Sequence, residues 1–207
     1  MKLYFAPGAC SLSPHIVLRE AGLPVELERV DLAEGRIVST GEAFRSINPK
    51  GYVPALEVSP GEVVTEGAAI VQHIADSNPQ AGLAPAAGTL ERARVNEWLT
   101  FLSSELHKAF APMFQPNSSE EAKAYAIDRV TNRLDHIESV LGDGRSYLTG
   151  DTFTIADAYL FTLTNWTGPT GIGLGSRSKL IAYMDRVRQR PAVLAALEAE
   201  GLLQPAA

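Results

Sequence analysis

The chain has one cysteine, Cys10, in 207 residues. No disulfide can form within it, and so sparing a use of thiols suits a reducing compartment. The four histidines, His15, His73, His107 and His136, fall at no metal-ligand spacing. With a single thiol beside them, no metal site is expected. Basic runs are missing, and the formal net charge is −6. That balance argues against nucleic acid and against anionic membrane surfaces. No apolar run is long enough to span a bilayer, and the N-terminus lacks a secretory pattern, so no membrane partner and a cytoplasmic location are expected. Internal repeats are absent. What remains is ordinary: 45% hydrophobic residues, enough for a sizeable core in one large domain or two small ones.

The first part alternates strand and helix. Lys2–Ala6 reads as a strand, and Pro14–Ala21 as a helix with Ile16, Val17 and Ala21 on one side. Gly22-Leu23-Pro24 stops that helix. Glu26–Leu32 is a second strand, so the chain opens β-α-β with a parallel pair. Residues 33–51 are polar and irregular, with a short helix expected near Glu42–Ser46. Pro54–Val58 and Glu62–Thr65 flank the turn signal Ser59-Pro60-Gly61 and read as an antiparallel hairpin. Gly67–Ser77 comes next as a helix with Ile70, Val71 and Ile74 inward. The stretch Asn78–Gly88 is rich in Pro, Gly and Ala and reads as a linker. The expected division is 1–80, a linker at 81–88, and 89–207.

Everything after the linker carries helical periods. Thr89–Phe114 places Leu99, Leu102, Leu106, Phe110 and Met113 on one face, with Pro112 ending or bending it. Ser119–Leu141 spaces Ile127, Val130, Leu134, Ile137 and Leu141 by three and four. Thr154 and Asp157 form a capping box that opens Ile155–Leu163, a helix apolar nearly all round and so expected to be buried. Helices at about Ser178–Gln189 and Ala192–Glu200 end the chain, broken at Pro191.

Cys10 stands where the first strand turns into the first helix. Free N–H groups and the partial positive charge of a helix start favour a thiolate, so a lowered pKa and a reactive sulfur are expected. The plain alternative is a small buried residue. Cys10-Ser11-Leu12-Ser13 has the footprint of a C-x-x-C redox loop whose second cysteine is gone. A mixed disulfide formed on Cys10 therefore needs an outside thiol to resolve it, and glutathione is the evident intracellular candidate. Val53-Pro54 marks a strand start. Frequency favours a trans bond, although a cis bond would leave the Val53 backbone free to pair with an extended peptide. Glu66-Gly67, at the junction of hairpin and helix, either holds a ligand's ammonium and carboxylate or is an ordinary acidic N-cap. Thr100, Ser104, His107 and Ala111 form a polar stripe on a helix. His107 is either a donor to a thiol or a surface histidine.

Taken together, these segments resemble the glutathione S-transferase family, in its bacterial, cysteine-containing beta class. The likeness runs through MKLYFAPGACSLSPHIVLREAG, NPKGYVPAL, TEGAAIVQHIAD, WLTFLSSELHKAF and FTIADAYLF, in the family's order. It implies an α/β plus all-α architecture. The N-terminal domain would be thioredoxin-like, a mixed four-stranded sheet with helices, and the C-terminal domain a helical bundle supplying a second-substrate pocket. Glutathione is then the co-substrate, with no permanently bound cofactor, and the chain is expected to be a homodimer. Cys10 and His107 are the implied catalytic residues. Cys10, Val53, Glu66, Gly67, Ser104 and His107 are the implied glutathione contacts. Contacts expected to be weakened or lost involve Gly35, Thr100 and Lys108, and position 67 lacks the serine of many relatives. The glycine-rich loop Thr167–Gly175 departs from the family pattern. The resemblance implies two chemistries: conjugation of glutathione to a hydrophobic electrophile, and glutathione-dependent reduction of a disulfide or peroxide through a Cys10 mixed disulfide. The alternative is a non-catalytic binding protein that keeps only the fold.

Overall fold

The computed structural model describes residues 1–203. Its first strand, β1 (Lys2–Phe5), alternates its side chains between two cores: Leu3 and Phe5 enter the main one, Tyr4 and Ala6 the smaller one, as the period of two requires. Helix α1 (Leu12–Glu20) returns the chain to β2 (Glu26–Asp31), which lies parallel to β1 with Leu3 opposite Leu27. The hairpin β4 (Ala55–Ser59) and β5 (Glu62–Thr65) runs antiparallel to β1 on its other side.

The sheet has five strands rather than the expected four, in the order β3-β2-β1-β4-β5. The extra strand, β3 (Arg36–Ile37), has two residues and pairs with Val30 and Asp31. So short a run shows no alternation, which is why it hides in a polar segment. The expected short helix is a 3-10 turn, Phe44–Ser46, and its Phe44 is fully buried over the smaller core. Helix α2 (Gly67–Ser77) lies with α1 on the opposite face, and Ile70, Val71 and Ile74 point inward as expected.

The stretch that follows α2, residues 78–89, is fastened at several points. Leu83 is buried and its carbonyl accepts the Ile155 N–H at 3.0 Å. The Arg92 guanidinium grips both oxygens of Asp76 at 2.6 and 2.8 Å and also donates to the Pro85 carbonyl.

Thr89 caps α3 (Leu90–Phe101), which runs into a π turn, Leu102–Leu106, a last helical turn, His107–Ala109, and the short α4 (Ala111–Phe114). Leu99, Leu102, Leu106 and Phe110 are buried as their spacing requires, whereas Met113 is only half-buried. Ser119 caps α5 (Glu120–Leu141), whose inward residues are Ala126, Val130, Leu134, Ile137 and Leu141. Ile127 is exposed, against expectation; Ala126 takes the inward place.

Helix α6 (Ile155–Asn165) is buried along nearly its whole length and fills the centre. The capping box forms: Asp157 accepts the Thr154 N–H at 2.8 Å and the Thr154 hydroxyl at 2.9 Å. Its other oxygen accepts the Leu148 N–H and the Tyr183 hydroxyl, both at 2.9 Å. Helices α7 (Ser178–Arg188) and α8 (Pro191–Ala199) complete the bundle. The chain breaks between these two helices as expected, and Pro191 is itself the first residue of α8, where a proline gives up no helical N–H bond.

Candidate active site

The turn from β1 into α1 carries Cys10, and hydrogen bonds hold it on every side. Ser11 Oγ accepts from the Ala6 N–H and donates to the Ala6 carbonyl, both at 3.2 Å. Gly8, with φ of 70°, is gripped from two distant elements: its N–H donates to Glu200 Oε2 at 2.9 Å, and its carbonyl accepts the Trp166 indole N–H at 2.8 Å. Glu200 is in turn fixed by the fully buried His15, whose Nδ1 lies 2.8 Å from Oε1. Arg19 Nε donates to His15 Nε2 at 2.8 Å. An acceptor at Nε2 puts the imidazole proton on Nδ1, facing Glu200.

The Cys10 thiol donates to the Val53 carbonyl at 3.2 Å. Its side chain is partly open to solvent, but protein surrounds most of it. Burial pushes the thiol up to about 12, even though the N–H groups of Cys10 and Ser11 and the Lys108 ammonium act the other way. This corrects the expected lowering. The helix start does favour the thiolate here, but desolvation, joined by the negative charge of Glu66, outweighs it. In the free protein Cys10 is a thiol.

The Val53-Pro54 bond is cis, contrary to the expectation from frequency and in keeping with the cis proline that the family resemblance implies after Val53. Val53 is buried at the start of β4, and its carbonyl is the acceptor already spoken for by Cys10. Glu66 has φ of 70° and ψ of 114°. It is the one non-glycine residue with positive φ among the described residues. Such a conformation is a recurrent mark of functional positions. Its carboxylate does not cap α2; it pairs with Lys50, which also donates to Thr65 Oγ1 at 2.9 Å. Gly67 opens α2 in an ordinary helical conformation, and a Cβ there would meet only Pro54 Cγ, at 3.8 Å.

From the helical side comes His107. Its Nδ1 lies 2.8 Å from the Tyr159 hydroxyl, and its ring meets Trp166 edge to face at 4.9 Å. Burial, helped by Lys108, lowers its pKa to about 4, so the ring is neutral at physiological pH. Burial also pushes the Tyr159 phenol upward, keeping it protonated. With Tyr159 OH donating to Nδ1, the tautomer assigned here, the ring's own proton sits on Nε2.

Cys10, Val53, Glu66, Gly67, His107 and Lys108 line one cavity of about 250 Å³, with Tyr52, Pro54, Ser103 and Tyr159. It adjoins a second cavity of about 600 Å³, apolar in character, walled by Trp166, Phe114, Leu202 and the Pro7–Ala9 turn. Cys10, Tyr52, Val53, His107 and Lys108 border both.

Ser104, Thr100 and Gly35 stand apart from these cavities. Ser104 and Thr100 are exposed and donate back to helix carbonyls, at Thr100 and Asn96, both at 2.9 Å. Gly35 lies in the turn before β3 with φ of 63°. Ser103 and Ser104 both lie within the π turn Leu102–Leu106. Ser103, rather than Ser104, faces the cavity with His107.

Sequence reading missed Tyr159, Trp166, His15, Glu200 and Ser103. Tyr159 falls in the helix expected to be buried, and Trp166 just beyond it; a buried phenol or indole needs a polar partner, and that need is a usable signal. The link between His15 and Glu200 spans 185 residues and carries no local signal.

A thiol at a strand-to-helix turn, beside a cis-proline strand and under a helical bundle, defines a thioredoxin-like protein with an added helical domain. Comparison with known proteins narrows this. The family model described as glutathione S-transferase, N-terminal domain, matches residues 8–77. The one described as glutathione S-transferase, C-terminal domain, matches residues 101–191. Glutathione S-transferase GstA of Escherichia coli O157:H7 is 42% identical over 202 residues, covering 98% of this chain and 100% of the relative. A sphingomonad glutathione S-transferase solved in complex with glutathione superposes with a TM-score of 0.93 at 49% identity, covering 98% of this chain and 100% of that one. A beta-class enzyme of Sphingomonas chungbukensis gives 0.94 at 48% identity, with the same coverage. The chain belongs to the glutathione S-transferase family.

Proposed function

We propose that the chain is a catalytic glutathione transferase of the bacterial, cysteine-containing type, with glutathione as co-substrate. The smaller cavity takes glutathione. Its cysteinyl unit pairs with the Val53 backbone as an added strand would, taking the place of the Cys10 thiol at the Val53 carbonyl. Its γ-glutamyl end meets Glu66, displacing Lys50, and the free N–H groups at the start of α2. The single observation that carries this is the convergence of Cys10, the cis Val53-Pro54 strand, Glu66 and His107 on one cavity that opens onto an apolar one.

One bound thiol supports two outcomes. In conjugation, the glutathione thiol loses its proton to solvent. The resulting anion is held by the N–H groups at the Cys10 turn and by His107 Nε2–H, attacks the electrophilic carbon, and expels the leaving group with its bonding pair. In reduction, the Cys10 thiol gives its proton to solvent and its sulfur attacks the disulfide substrate, releasing one substrate thiol; a first glutathione then displaces the other and leaves Cys10 joined to glutathione as a mixed disulfide. A second glutathione then releases glutathione disulfide and restores the Cys10 thiol, so two glutathiones supply the electrons for one disulfide. The second substrate occupies the apolar cavity. We further place the chain in the cytoplasm as a homodimer, divided near residues 80 and 89, with Ser104 and Thr100 available to a second copy.

Calorimetric titration with glutathione tests the site. Binding is expected, weakened about tenfold or more in Glu66→Gln, the loss of one charged hydrogen bond. Undetectable binding at millimolar glutathione, or equal affinity in the variant, would contradict it.

A further inference from the structure

The apolar cavity has one formal charge on its lining among the described residues, Lys108. Lys2 pairs with Glu26, Lys50 with Glu66, and Lys123 with Glu120, while Lys179, on α7, lines neither cavity. Lys108 is exposed and makes no ion pair among the described residues. It borders both cavities, and its charge acts on the Cys10 sulfur and on the His107 ring. Glu66, the carboxylate lining the smaller cavity, is occupied by Lys50. His107 is neutral. An unmatched ammonium at the lip of a cavity walled by Trp166, Phe114 and Tyr52 is complementary to a flat, apolar body that carries a negative group.

We propose that Lys108 is a specificity-determining residue and that the preferred second substrates are aromatic electrophiles bearing an anionic group, such as an aryl carboxylate. The ring lies against Trp166 and Phe114, and the anion sits at Lys108. This places the electrophilic carbon near Cys10 and His107, where the two cavities meet. The inference rests on the reading of the chain as a transferase. In the step itself the carbon–sulfur bond to glutathione forms, the carbon–halogen bond breaks, halide leaves with the bonding pair, and the thiol proton passes to solvent.

The test uses 4-chloro-3-nitrobenzoate and 4-chloro-3-nitrobenzamide, which share ring and leaving group. The ratio of their kcat/KM values is measured in the wild-type protein, Lys108→Gln and Lys108→Glu. Intrinsic reactivity cancels when the ratio is compared between proteins. The ratio is expected to fall about fivefold in Lys108→Gln, the upper range for an exposed ion pair, and further in Lys108→Glu. In the wild type it should also fall with added salt. Conjugation of both rings with one ratio in all three proteins would overturn the inference and leave the transferase intact. Binding of the unreactive pair 3-nitrobenzoate and 3-nitrobenzamide, monitored by tryptophan quenching, separates the two failures. A carboxylate preference that depends on Lys108 supports the assignment even where neither chloride is turned over, an outcome that would sink only the transferase reading.

Discussion

The two adjoining cavities are built on opposite plans. The smaller is lined by groups whose directions are fixed: a thiol bonded to a backbone carbonyl, a carboxylate on strained backbone, and a histidine held by a tyrosine. The larger is lined mostly by apolar surface drawn from the β1–α1 turn, α4, the segment after α6 and the segment after α8. A constant co-substrate rewards fixed polar partners, because each hydrogen bond contributes only where its geometry is met. A variable second substrate is served by non-directional apolar contact, to which shape and one cation add selection. The border residues Cys10, Val53 and His107 are where the two plans have to agree.

The most damaging change expected is one that loosens the larger cavity alone. Glu200→Ala removes the carboxyl that holds both the Gly8 N–H and His15, leaving buried donors without partners. A loss of about 2–4 kcal/mol is expected in urea unfolding. The KM for the second substrate should rise about tenfold, with a much smaller change for glutathione. Equal effects on both would mean that the Pro7–Ala9 turn does not act on the larger cavity alone.

A middle-sized effect is expected at the border. Tyr159→Phe removes the donor that orients His107 and should cost about 1 kcal/mol of stability and several-fold in kcat. The pH dependence sharpens this. The His107 pKa is lowered to about 4 in the folded protein, against about 6.5 when unfolded. Between those values the unfolded chain binds the extra proton, so stability from this residue is fully present above about 6.5 and is lost as pH falls toward 4. His107→Gln should flatten that acid limb in unfolding measurements. Above pH 6.5, conjugation should show no inflection from His107.

The smallest effect is expected at Gly67. A serine fits there, since its Cβ would meet only Pro54 Cγ at 3.8 Å, and its hydroxyl would sit at the start of α2. Glutathione affinity should improve by about threefold, while the second-substrate KM stays put.

The same contrast explains what could be read from sequence. Cys10 at a strand–helix turn, Pro54 at a strand start and Glu66 at a hairpin–helix junction are local signals, and they mark the smaller cavity. Asp157 was equally legible, because its partner Thr154 is three residues away. The larger cavity left no such trace: Leu32, Phe114, Trp166 and Leu202 come from distant elements and are residue types that read as core. The cis bond at Pro54, the two-residue β3 and the π turn that carries Ser103 depend on tertiary packing rather than on any local pattern. The Cys10 pKa was misread because a helix start is visible in sequence and desolvation is not.

The most direct test of the account compares the wild-type protein with Cys10→Ala. Conjugation of an aromatic electrophile, glutathione-dependent disulfide reduction and the intact mass after glutathione disulfide treatment would be measured on each. The account predicts that the variant loses reduction and the glutathione-sized adduct but retains conjugation, because the attacking sulfur in conjugation belongs to bound glutathione. Survival of both activities unchanged would make Cys10 a spectator and contradict the central assignment.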